Sequence, residues 1–123
     1  MDSWKNNFLW LDQLKKLTFF GVSSKYIDFL KNNKFNSKNY NLKNLKTIAS
    51  TGSPLLKESF DYIYKNIKKN VHLASISGGT DLVGCLVLGN LFSKVNAGEI
   101  QGESLGINVD IFNSKGISVK NKS

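Results

Sequence analysis

The sequence predicts an α/β fold: a parallel sheet with packed helices, followed by a β-hairpin. Three observations predict it. Short apolar runs rich in β-branched residues alternate with runs whose apolar residues recur at helical spacing. Serine-, glycine- and asparagine-containing stretches separate them. Toward the C-terminal end the period changes to strict two-residue alternation on either side of a turn.

Phe8-Leu9-Trp10-Leu11 leads into Leu14 and Leu17. Apolar positions 10, 14 and 17 predict a helix, with Asp12, Lys15 and Lys16 facing out. Thr18-Phe19-Phe20-Gly21-Val22 is aromatic and β-branched and reads as a strand. Ser23 or Ser24 then caps a helix running from Lys25 to Asn32, with Tyr26, Ile27 and Leu30 as its buried stripe. Residues 33–44 are polar and Asn-rich, a surface loop with no pattern specifying a fold. Leu45–Ser50 reads as the next strand.

Thr51-Gly52-Ser53-Pro54 ends that strand and predicts a helix start, with Ser53 as cap and Pro54 in the first turn. Leu56, Phe60, Ile63 and Ile67 line one face at spacings of 4, 3 and 4. Lys68-Lys69-Asn70 places positive charge at the end the helix dipole favours. Val71–Ile76 reads as a buried strand. The glycine-punctuated Gly98–Gly102 follows an apolar run at Leu82–Leu88. Ile107–Phe112 alternates apolar and polar residues, Asn113–Gly116 is a turn, and Ile117-Ser118-Val119 begins a return strand.

At 123 residues the chain is about one small domain. A chain near this size hides roughly two-thirds of its unfolded surface. Hydrophobic content of 41% argues against disorder. The formal charge is +8, and all 17 cationic residues are Lys. Nucleic-acid readers rely on the Arg fork for guanine and phosphate. Here Lys is scattered among Asn, with 13 Lys against 5 acids in residues 1–70, so a solvated surface is expected and not a nucleic-acid track. One cysteine, Cys85, in an apolar run, fits a buried inert thiol in a reducing compartment. The N-terminus lacks a signal-peptide pattern, and the longest apolar run is too short to span a bilayer. A cytoplasmic chain with no membrane partner is expected.

The stretch most able to carry chemistry is Ser75-Ile76-Ser77-Gly78-Gly79-Thr80-Asp81. Two glycines let backbone approach a ligand. Thr80 can donate to a phosphate oxygen, and Asp81 is a hard ligand suited to Mg²⁺. The same residues also fit a plain strand-to-helix turn with Thr80 or Asp81 as N-cap. In parallel sheets ligands bind beyond the carboxyl ends of strands. The 51–54 and 75–81 turns both lie at such ends and line one crevice if their strands are neighbours. His72, with no second His and no Cys cluster, reads as a satisfied structural side chain.

Three segments together resemble the adenylate-forming, acyl-activating enzyme superfamily: Leu45–Leu55 with its Ser-Thr-Gly-Ser-Pro-Leu, Val71–Asp81 with Ser-Gly-Gly-Thr-Asp, and Gly98–Gly102 with Gly-Glu-Ile-Gln. The match is nearest to the branch that joins acetoacetate to coenzyme A, and it covers the chain from about Phe8 to the hairpin. The resemblance implies part of the N-terminal domain of such a ligase, with ATP, Mg²⁺ and coenzyme A as reaction partners. It implies a catalytic Thr80 on the α-phosphate and Asp81 as metal ligand, where most relatives carry the longer Glu. It also implies ATP contacts from Gly52, Ser53, Pro54, Ser75, Ile76, Ser77, Gly79 and Thr80. Ser77 stands where many relatives stack an aromatic ring on adenine, which Ser cannot do. Ser23, in the acyl-pocket wall of 20–24, and Gly78 would meet the acid. Acetate-activating relatives carry Trp at the Gly78 position, so glycine implies room for a longer acid. The family's phosphate loop with its lysine, its ribose-binding aspartate and its mobile C-terminal domain have no match here. The resemblance therefore implies a fragment, with 1–97 as the α/β portion and 98–123 opening a hairpin subdomain. The rest of the parent chain would be its partner, and the fragment alone is expected to be inactive.

Overall fold

A computed structural model describes residues 16–120. The helix predicted around Trp10 and Leu14, with Trp4 before it, lies outside the described residues. Leu17 packs against the core without belonging to a regular element.

Three parallel strands form the main sheet in the order β1 (Phe19–Ser23), β2 (Thr47–Thr51), β3 (His72–Ser75). Phe19 pairs with Thr47, and Ile48 with Leu73. Helix α1 (Ser24–Asn32) links β1 to β2, and α2 (Lys57–Tyr62) links β2 to β3. Both pack on one sheet face. Ile27 and Leu30 from α1, Phe60 from α2, Ile63 and the strand residues Ile48 and Leu73 are buried in one cluster. A side-chain triad ties the helices together: Ser59 Oγ donates to Asp28 Oδ1 at 2.8 Å and accepts from Lys31 Nζ at 3.0 Å.

The Ser23 cap is as the sequence predicts, its Oγ accepting from the Tyr26 N–H at 3.2 Å. The second helix start is not. α2 begins at Lys57 with Leu56 in the cap position, so Ser53 caps nothing and Pro54 precedes the helix by three residues. Gly52, at φ +87°, turns the chain out of β2, and burial of Leu55 holds Pro54–Leu56 extended over the core. Leu56, predicted to be buried, is 57% exposed, and Leu55 takes its place. Beyond Tyr62 the helix widens into a π-turn over Ile63–Ile67, closed by the Lys68 N–H on Ile63 O at 2.9 Å.

The Asn-rich segment 33–44 is more specified than its composition suggests. Ser37 donates through its backbone N–H to Asn66 O at 3.0 Å, and its hydroxyl donates to Ile67 O. Tyr62 OH donates to Phe35 O at 2.7 Å. Lys68 Nζ donates to the carbonyls of Leu42, Lys43 (3.0 Å) and Leu45 (2.6 Å), so its charge serves this loop. Desolvation lowers its ammonium pKa from the ordinary value.

A second, antiparallel sheet of order β4-β5-β6 follows, with β4 (Ser77–Gly79), β5 (Gly84–Leu88) and β6 (Gly102–Glu103). Thus 75–81 leads into a hairpin and not into a helix. A 3₁₀ turn, Thr80–Leu82, forms its tip, and neither Thr80 nor Asp81 caps an α-helix. The apolar 82–88 run is the return strand. Cys85 on it is half-buried, where full burial was expected. The C-terminal hairpin predicted over 107–119 is reduced to one bridge, Phe112 with Ser118, around the Asn113–Gly116 turn. Pairing of β5 with β6 spans position 98.

β5 and the chain after it cover the face of the parallel sheet opposite the helices. Gly89 makes the closest approach: a Cβ there would sit 2.5 Å from Ala74 Cβ and 2.8 Å from His72 Cε1. An apolar groove of about 330 Å³ remains between the two sheets, bordered by Phe19, Ala49, Ala74, Ile76, Cys85 and Leu88.

Candidate functional site

β2 and β3 are parallel neighbours, so the turns leaving their carboxyl ends emerge side by side. The Ile76 N–H bonds to Ser50 O at 2.8 Å and carries the pairing one residue past β3. Between these turns lies a cleft of about 430 Å³. Thr51, Gly52, Ser53, Pro54 and Leu55 form one wall, and Ser75, Ile76, Ser77 and Gly78 the other. Gly98 and Ile100, from the third of the resembling segments, close it from the chain before β6, a contact to which the sequence alone assigns no role. The carboxyl edge of a parallel sheet is where such folds present ligand-binding loops.

Gly52 turns the chain at positive φ on the cleft wall, and Ser53 Oγ hydrogen-bonds Ser24 Oγ at the start of α1. This bond ties the cleft wall to the end of β1, where Ser23 pairs in register with Thr51. Ser23 itself caps α1 and does not line the cleft. Among the described residues the one buried side-chain oxygen lacking a partner is Ser50 Oγ, in the strand just before the 51–55 wall.

Gly79, Thr80 and Asp81 follow the wall residue Gly78 but do not line the cleft; Gly79 ends β4, Thr80 and Asp81 open the hairpin tip, and all three are exposed. Gly78 is confined by the hairpin. A Cβ on it would lie 2.3 Å from Gly84 O and 2.5 Å from Cys85 Cα. Directly after the tip's 3₁₀ turn, Val83 caps it in a left-handed conformation at φ 51°. Among the described residues no cluster of three or more His, Cys, Asp or Glu could hold a metal ion alone. Thr80 and Asp81 nevertheless offer adjacent hard oxygen donors, and Mg²⁺ commonly takes one or two carboxylates with substrate phosphates and water. The donor set fits a metal that arrives with a nucleotide.

His72 is satisfied structurally, as predicted: its Nε2 lies 2.7 Å from Gln101 Oε1. Among the described residues no helix is long and apolar enough to cross a membrane.

The described residues share their fold with solved acyl-CoA and aryl-CoA ligases. The solved acetoacetyl-CoA synthetase from Streptomyces lividans superposes with a TM-score of 0.82 at 23% identity, over 94% of this chain and 18% of that one. The anthranilate CoA ligase AuaEII, solved with anthranoyl-AMP, gives 0.77 at 15% identity, over 94% and 21%. Within that class the sequence is homologous to a segment of the acetoacetyl-CoA synthetases. The Rhizobium meliloti acetoacetyl-coenzyme A synthetase is 47% identical over 107 residues, covering 86% of this chain and 16% of that protein. The Gallus gallus acetoacetyl-CoA synthetase is 41% identical over 120 residues, covering 95% and 18%. The chain thus spans less than a fifth of the length of these relatives. No protein-family model matches it.

Proposed function

We propose that this chain is the central part of an ATP-dependent acid–thiol ligase of the cytoplasm that activates acetoacetate and transfers it to coenzyme A. The observation that carries the reading is the single cleft formed by the 51–55 and 75–78 turns at the ends of adjacent parallel strands. In the first step an acetoacetate oxygen attacks the α-phosphorus of ATP, and the bond to pyrophosphate breaks. In the second, the coenzyme A sulfur attacks the acyl carbon, AMP leaves, and the thiol proton passes to solvent.

Gly52, Ser53 and Pro54 would border the adenine on one side, with Ser75, Ile76 and Ser77 on the other. With a serine in place of a stacking ring, the apolar share of that contact falls to Ile76, Leu55 and Ile100. Gly79 and Thr80 would meet the phosphates, the Thr80 hydroxyl donating to the oxygen on which charge builds. Gly78 and Ser23 would lie on the acid's side. Asp81 would hold Mg²⁺, which supplies charge neutralisation for attack of one anion on another. Substrates are small molecules on this reading, with neither nucleic acid nor membrane as partner.

The test uses the full-length polypeptide that contains this chain. Supplied with ATP, acetoacetate and coenzyme A, it should form AMP, pyrophosphate and the acyl thioester, and Thr80→Ala should slow adenylate formation at least about a hundredfold. Turnover of acetate or another short acid in place of acetoacetate would shift the reading to a different acyl-CoA ligase. Nucleotide binding without any acyl-adenylate would replace it with a non-catalytic nucleotide-binding module.

A further inference from the structure

Gln101, the last residue of the Gly-Glu-Ile-Gln stretch, is given no role by the reading above. Its side chain nevertheless makes hydrogen bonds to three separate residues. Its Oε1 accepts from His72 Nε2 at 2.7 Å and from the Asn90 N–H at 2.9 Å. Its Nε2 donates to Asn90 O at 2.8 Å and Ser93 O at 2.9 Å, with Ser93 Oγ at 3.2 Å. A primary amide has two donors and two acceptor positions, and all four are used. Turning the amide over would set its NH₂ against the Asn90 N–H and its oxygen against two carbonyls. The same pattern requires a proton on His72 Nε2, since Oε1 can only accept.

These bonds join β3, through His72, to the chain just after β5. The two meet where Gly89 lies too close to Ala74 and His72 for any side chain. Gln101 is also flanked by cleft and sheet: Ile100 before it walls the cleft, and Gly102 after it pairs with Leu88. We infer that Gln101 is a positioning residue that fixes Ile100 and Gly98 against the cleft, and so sets the width of the slot that receives the nucleotide base. This rests on the proposed function for the ligand's identity but not for the clamp itself.

The test compares wild type with Gln101→Leu in the full-length polypeptide by two readouts: AMP affinity and amide hydrogen exchange resolved by segment. Expected are faster exchange confined to 89–102, unchanged exchange in β2, and AMP affinity about tenfold weaker. His72→Ala, which removes one of the bonds, should weaken AMP less, and His72→Gln, which restores an amide donor, should recover much of the loss. Should Gln101→Leu not fold, the two His72 variants carry the test by the same readouts. Faster exchange with unchanged AMP affinity, or loosening spread across β2, would overturn the positioning role. A wild type that binds no AMP would sink the ligase reading, while exchange over 98–102 would still decide whether the clamp exists.

Discussion

At Gly78 the hairpin closes over a position where even a methyl group meets backbone. Gly78→Ala should therefore destabilise the fold by about 1–3 kcal/mol, the range for forced overpacking, read as a lower urea midpoint. The resemblance reads this glycine as room for a longer acid. The structure adds that Gly78→Trp would disturb hairpin closure before it shortened any pocket. Val83 carries the opposite lesson. A β-branched residue in the left-handed region costs roughly 1–2 kcal/mol, so Val83→Gly should raise stability by about 1 kcal/mol by the same measurement. Buried Tyr26 and Tyr62 are each pushed up to about 12, by desolvation in both cases and, for Tyr62, also by the neighbouring Tyr26. Their folded values lie above the ordinary 10, so the stability held in their neutral form is complete below pH 10 and lost as pH climbs toward 12. Unfolding should steepen across that window, and Tyr62→Phe should release about one proton fewer, measured by urea titration at successive pH values.

Elements were legible where periodicity and capping agreed. Ser23 followed by Tyr26, Ile27 and Leu30 specifies both the cap and the buried face of α1. At Pro54 the local chemistry suggested a helix start, but burying Leu55 requires three more extended residues, a tertiary demand invisible to capping rules. The β4–β5 hairpin is not legible in the sequence because Leu82–Leu88 is continuously apolar and shows no alternation. The Asn-rich segment owes its shape to distant partners, chiefly the Lys68 ammonium and the Ile67 carbonyl that accepts from the Ser37 hydroxyl. Lys68→Met keeps the stem but strands three carbonyls. It should cost about 1–3 kcal/mol and speed amide exchange over 35–45 ahead of the sheet.

For the whole molecule, alternation of strand and helix predicts a parallel sheet and a shared edge for the two turns only if their strands are neighbours; the β2–β3 pairing meets that condition. The closing contribution of Gly98 and Ile100 was not predictable, because it depends on how a later segment folds back. Large apolar side chains remain open on the second sheet and beyond it, with Phe92 and Leu105 each 99% exposed and Val83 95%. Surfaces of this kind favour association. The 123-residue chain by itself should show concentration-dependent self-association in sedimentation velocity, and a single monomeric boundary at every concentration would contradict that expectation. Ile76 borders the cleft on one side of the sheet's edge and the inter-sheet groove on the other. One side chain is thus a party wall between two rooms: whittling it down to enlarge either would breach the other, so evolution or an engineer must adjust both volumes together.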